Sequence, residues 1–179
     1  MKTTAVPTTV TYLEMKRPPA RLPPQPVGCR LALMQVDPMP LHFYRYLYAT
    51  IGEKYMWVER LPLSDEELSR QVCKPEIEIS VLYANGAPAG YFELDFTETP
   101  DIYLAYFGLF PEWTGRRIGP WLLGCALSEA FSRGANRVKL NTCTLDHPAA
   151  LPFYQKMGFE PVRQVERELQ VPDHMLAPN

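Results

Sequence analysis

Two stretches of this 179-residue chain carry residue types that could do chemistry. In Thr114-Gly115-Arg116-Arg117-Ile118-Gly119-Pro120, glycines flank two arginines at the start of a helical pattern. Glycine lets the backbone approach a ligand, and the free amides and dipole of a helix N-terminus favour an anion such as a pyrophosphate. A plain glycine-basic turn is the competing reading. The stretch is not a P-loop, because no Gly-Lys-Ser/Thr follows. It is not a dinucleotide fingerprint either, because Gly-x-Gly-x-x-Gly is absent and an antiparallel pattern precedes it. The second stretch, His147 to Phe159, contains Tyr154. A phenol there can give a proton to a leaving group, or pack as an ordinary aromatic with its hydroxyl toward solvent.

The elements that must hold these residues follow from periodicity. Residues 1–28 are rich in Thr and Pro, with Pro18, Pro19, Pro23, Pro24 and Pro26 close together. Proline has no amide proton for a central strand, so this reads as an extended arm with at most a short strand over Thr11–Met15. Arg30–Val36 alternates as a first strand, and Pro40–Glu53 carries an apolar stripe at helical period. Ser64-Asp65-Glu66-Glu67 is a helix start. Glu76–Val81, Gly90–Phe96 and Asp101–Phe110 alternate as three antiparallel strands, with Asn85-Gly86 as a hairpin signal. A helix is expected over Trp121–Ser132, a strand over Arg137–Cys143 and a short helix over Asp146–Met157, capped by Asp146 or His147. Phe159–Leu169 reads as a closing strand or strand pair. The order β-α-α-β-β-β-α-β-α-β predicts an α+β domain over residues 29–179.

Composition bounds the function. Net charge is −2, with 46 % hydrophobic and 21 % charged residues, a globular profile with no basic face for nucleic acid. The N-terminus lacks the apolar run of a secretory signal, and no stretch approaches the roughly 18 apolar residues of a membrane span. The expectation is a cytoplasmic protein. Cys29, Cys73, Cys125 and Cys143 show neither zinc-ligand nor disulfide spacing, so they are expected as free buried thiols, with no metal.

Taken together and in order, the two stretches resemble the GNAT superfamily of N-acetyltransferases. Leu109-Phe110-Pro111-Glu112-Trp113-Thr114-Gly115-Arg116-Arg117-Ile118-Gly119 is similar to the family's strand, loop and helix start. His147–Phe159 is similar to its N-x-x-A-x-x-x-Y-x-x-x-G-F stretch. The resemblance implies a mixed sheet with two splayed strands, helices on both faces and acetyl-CoA in the cleft. It implies pantetheine along Phe107, Gly108 and Leu109, with Gly108 suited to a bulge. It implies pyrophosphate on Gly115, Arg116, Arg117, Ile118, Gly119 and Pro120, a contact from His147, and Tyr154 as general acid. The acceptor would be an amine on a small molecule or peptide, attacking the thioester directly. Asp101, Glu93 and Asp95 are candidate bases, each also readable as a surface acid, while Thr142 stands where some relatives carry a glutamate. A non-catalytic acyl-CoA-binding module of the same fold is the alternative. Three departures stand out: Thr114 replaces Arg or Gln, Arg117 replaces Gly, and His147 replaces Asn. The N-terminal arm could wrap the domain or a neighbouring subunit, the latter giving a homodimer.

Overall fold

The structure is a computed structural model and describes residues 2–176. Its centre is a seven-stranded mixed sheet of β1 (Thr3–Met15), β2 (Leu31–Gln35), β3 (Ile77–Ala84), β4 (Ala87–Asp95), β5 (Asp101–Leu109), β6 (Arg137–Cys143) and β7 (Glu160–Pro172). The spatial order is β2-β3-β4-β5-β6-β1-β7. Every neighbouring pair is antiparallel except β5 and β6. The helices are α1 (Leu41–Gly52), α2 (Asp65–Val72), α3 (Ile118–Ser132), α4 (Ala150–Lys156) and α5 (Asp173–Leu176).

Local chemistry explains most boundaries. Asn85 and Gly86 both take left-handed φ, 52° and 93°, as the tight β3–β4 hairpin requires. Ser64 and Glu67 form a reciprocal capping box at the start of α2, with Ser64 N donating to Glu67 Oε2 at 2.8 Å and Glu67 N to Ser64 Oγ at 3.2 Å. Strand alternation then builds one core on each face of the sheet. Tyr91 of β4 packs with Ile79 and Val81 of β3 under α1 and α2, against Tyr44, Leu47, Ile51 and Leu68. Phe92 and Leu94 of β4 pack with Ile102 and Leu104 of β5 under α3, against Ile118, Leu122 and Leu127.

The N-terminal segment departs from the sequence reading. Thr3–Met15 is one long strand inside the sheet, between β6 and β7, where an arm with a short strand was expected. Pro7 is tolerated because β6 pairs with β1 only over Val10–Met15, so at Pro7 the strand is paired on the β7 side alone. β7 is a single strand, and its hairpin-like partner is supplied by the opposite end of the chain. From Met15 the proline-rich residues 16–30 must reach β2, five strand spacings or about 24 Å away. They do so across α3. A Cβ added at Gly124 would stand 3.0 Å from Pro23 and 3.7 Å from Leu22, so the glycine makes room for this strap.

Gly108 is not at a bulge, and it is a site of close approach. The irregularity in the β4–β5 ladder lies at Ala105, opposite the Glu93/Leu94 step, and Gly108 pairs regularly with Tyr91. Gly108 is small because α1 presses on it: a Cβ there would lie 2.4 Å from Ile51 Cγ2, on a buried side chain. Gly108→Ala is therefore expected to cost about 1–3 kcal/mol by overpacking. Urea denaturation should also find Gly108→Ala and Ile51→Ala strongly non-additive, since the second removes the clashing methyl.

Candidate active site

β5 and β6 touch along a very short ladder. Their parallel pairing covers only Asp101–Arg137, Ile102–Val138 and Tyr103–Lys139. Beyond Tyr103 the strands part, while β5 stays paired to β4 as far as Leu109. The backbone of Leu104–Leu109 thus has one edge free for an extended ligand. A cavity of about 890 Å³ opens there. Phe107, Gly108 and Leu109 line it, as expected, together with Gly115, Arg117, Gly119, Pro120, His147 and Tyr154.

The glycine-arginine turn forms one end. Gly115 and Arg117 both have left-handed φ, 72° and 62°, and Arg117 is the N-cap residue of α3. The chain makes the turn that a glycine would make at Arg117, at a cost of order 1–2 kcal/mol. The helix begins at Ile118, three residues before the expected Trp121, so the free amides of Ile118 and Gly119 lie at the cavity end. Two side chains of the turn are engaged elsewhere. Arg116 stacks on Trp113, its guanidinium 4.9 Å from the ring, and the Ile118 side chain is buried in the core, so Ile118 offers the cavity end its amide alone. The side chains reaching the cavity are those of Arg117, Thr114 and Pro120.

Tyr154 stands on α4, in an aromatic row with Phe153, Phe107 and Phe159. Burial raises its phenol pKa above the ordinary value, and the charges of Asp146 and Tyr103 add to that. The phenol is thus held protonated. Neither Asp146 nor His147 caps α4, whose N-cap is Ala149. Asp146 instead closes the loop after β6, accepting from Thr142 Oγ1 at 2.6 Å and Cys143 N at 2.9 Å. His147 Nδ1 accepts from Ala149 N at 3.0 Å, and its ring meets Tyr55 edge-on. Thr142 is buried. The four cysteines are unpaired, and none is fully buried as expected. Burial pushes up the thiol pKa of Cys143, which lines the cavity.

The acidic candidates separate. Asp101 lies at the closed end of the β5–β6 ladder, away from the cavity lining. Its carboxylate accepts from Arg137 at 2.8 Å, and that contact holds its pKa below the usual range. Asp101 is a clasp between strands here. Glu93 is 0 % exposed and lies under α1, not in the cavity. It takes a two-pronged bond from Arg60, at 2.7 and 2.9 Å, and accepts from the Tyr44 hydroxyl at 2.9 Å. Burial opposes the Arg60 charge, and Glu93 more than offsets this, so the guanidinium stays protonated. The guanidinium also sits 4.4 Å from the Tyr106 ring centre. Asp95 does reach the cavity.

Through Arg60, Glu93 anchors the α1–α2 connection, and this connection forms a further wall of the cavity. Tyr55, Met56, Trp57, Val58, Glu59 and Arg60 line the cavity opposite the glycine turn. No motif marks them, because their side chains face one another only once Arg60 is pinned. Tyr103 and Tyr106 of β5 complete this end, and Asn141 of β6 donates to the Tyr103 hydroxyl across the splay. Tyr91 of β4 is fully buried instead. Glu93→Gln would leave the Arg60 charge without its partner, an expected loss of about 3–5 kcal/mol. Denaturation of Arg60→Met/Glu93→Met should recover most of it, since no charge then remains buried.

Among the described residues no helix is long and apolar enough to cross a membrane. Comparison with curated protein sequences finds no match. Solved structures share the fold at low identity. A GCN5-related N-acetyltransferase from Kribbella flavida superposes with a TM-score of 0.61 at 17 % identity, over 96 % of this chain and 60 % of that one. The ribosomal-protein-S18-alanine N-acetyltransferase of Escherichia coli gives 0.61 at 14 %, over 79 % and 94 %. An aminoglycoside acetyltransferase from an uncultured soil metagenomic sample, in complex with sisomicin, gives 0.57 at 15 %, over 72 % and 87 %. The chain spans between 54 % and 63 % of the first four similar structures, one of them a tandem GNAT protein of the clavulanic acid pathway. The family model for the acetyltransferase (GNAT) family matches residues 43–159, from α1 through the Tyr154 helix to Phe159, and the chain belongs to that family.

Proposed function

We propose that this protein transfers an acetyl group from acetyl-CoA to a primary amine by direct attack in a ternary complex. The observation that carries this is the free edge of β5 running from Tyr103 toward the α3 N-terminus, with the Tyr154 phenol beside it. Acetyl-CoA supplies the acyl group as an activated thioester. The open edge of Phe107–Leu109 suits an extended amide-bearing arm, which can bond to it as a strand would. The amides of Ile118 and Gly119 with the Arg117 charge suit a pyrophosphate. Arg117 keeps the left-handed turn that brings those amides forward.

Tyr154 donates the proton that the leaving thiolate needs. Its raised pKa keeps that proton in place until the sulfur takes it. The amine must be neutral to attack. Neither Asp101 nor Glu93 stands free to take its proton, so we assign that step to water at the cavity mouth, with Asp95 the one acid of the original three that faces the cavity.

Tyr154→Phe should lower kcat by about 10²–10⁴-fold, the usual contribution of a placed acid. Binding of acetyl-CoA, read by titration calorimetry, should stay near wild type. Unchanged turnover would remove Tyr154 from the mechanism, whereas CoA binding with no turnover in the wild type would favour a binding module. Because the phenol is shifted upward, the kcat–pH profile should show no descending limb from this group below about pH 10.

A further inference from the structure

The end of the cavity away from α3 holds two opposite charges that the reaction above does not use. Glu59 projects from the α1–α2 connection and Arg167 from β7; both line the cavity and both are exposed. Among the described residues neither takes part in an ion pair. Arg167 donates to the Tyr12 hydroxyl at 2.7 Å, which steadies the guanidinium without neutralising it. The neighbouring charges are engaged elsewhere: Arg60 by Glu93, Asp146 by Thr142 and the Cys143 amide, Asp95 by the Thr97 amide. Glu168, next to Arg167 on β7, also lines the cavity, but strand alternation sends its side chain to the face of β7 opposite that of Arg167.

Tyr103 lines the same cavity, within electrostatic reach of both. Its phenol pKa is pushed up to about 12, chiefly by burial, and the two charges act on it in opposite senses, Glu59 raising it and Arg167 lowering it. Glu59 also acts on Tyr48 and Tyr106, which line the cavity with it. Tyr154 feels Asp146 and Tyr103 instead. The pair thus faces one cavity from two elements, Glu59 from the α1–α2 connection and Arg167 from β7.

We propose that Glu59 and Arg167 hold the two ends of a zwitterionic acceptor, an amino acid or short peptide with a free carboxylate. The ammonium faces Glu59 and the carboxylate meets the forked donors of Arg167. A polyamine would meet repulsion at Arg167, and an acid without an amine would meet it at Glu59. Trp57, Tyr48 and Tyr106 between them offer an apolar body its contact surface. This assignment rests on the transferase reading.

Matched acceptors test it: phenylalanine against its amide and phenethylamine, and lysine against cadaverine, with acetyl-CoA and thiol release as the readout. The wild type should favour each amino acid over its carboxylate-free counterpart by at least about tenfold in kcat/KM, and Arg167→Gln should collapse that preference to within about twofold. Glu59→Gln should raise KM for phenylalanine and its amide alike. A wild type that prefers phenethylamine or cadaverine, or an Arg167→Gln enzyme that keeps the full preference, overturns the assignment. Turnover of any of these amines sustains the transferase reading whichever way the preference falls. An enzyme that binds acetyl-CoA and acetylates none of them overturns both.

Discussion

The structure depends on one interruption, the point after Tyr103 where β6 stops pairing with β5. A buried strand edge must satisfy its amides and carbonyls, so a sheet that opens in its middle needs either water or a ligand in the gap. Everything near the gap keeps it open. Asn141 reaches across to the Tyr103 hydroxyl and braces the fork. Phe107 stacks on Phe153, which wedges α4 against the free edge. The ladder irregularity at Ala105 turns β5 just beyond the fork. The same opening places the α3 N-terminus at one end of the gap and Tyr154 along it, so the helix start and the phenol share a single geometric cause.

Keeping the fork in register is a task for the first thirty residues. β6 is held on its far side by β1 over Val10–Met15, and β1 is held in turn by β7 along nearly its whole length. Arg137 ties the closed end, bonding to Asp101 on β5 and Glu14 on β1. The strap of residues 16–30 then passes over Gly124 of α3 before it enters β2. One continuous segment thereby contacts the strand that opens, the helix whose N-terminus closes one end of the cavity, and the far edge of the sheet. Proline suits such a strap, because a chain already extended loses less entropy when it is laid across a surface.

Elements whose cause is local were legible in the sequence. The capping box of Ser64 and Glu67, the Asn85-Gly86 turn and the alternation of β3 to β5 each depend on neighbours within a few residues. The glycine-arginine turn before α3 was legible for the same reason, since a turn and a helix start are contiguous. What failed was non-local. Val6 and Thr8 alternate no more clearly than a coil would, and only pairing with β7, more than 150 residues away, makes them strand. Glu93 read as a candidate base or a surface acid because its strand alternates well. That it lies inward follows from Arg60 and Tyr44, which arrive from a different helix and loop. Glu59 and Arg167 carry no motif at all, and meet only across the finished cavity.

Arg117 shows how the two scales combine. The turn before α3 needs a left-handed residue, which glycine supplies without strain. Arginine at φ 62° accepts a local cost of order 1–2 kcal/mol, repaid only if its charge is wanted at that spot. The charge cannot come from Arg116, whose guanidinium is committed to the Trp113 face. Nor can it come from the next turn of α3, where Trp121, Leu122 and Leu123 are needed for packing. Pro120 supplies no amide there either, so the helix start has one donor fewer than it would with another residue. A strained arginine at the N-cap compensates for both shortages, placing a cation beside the two amides that remain.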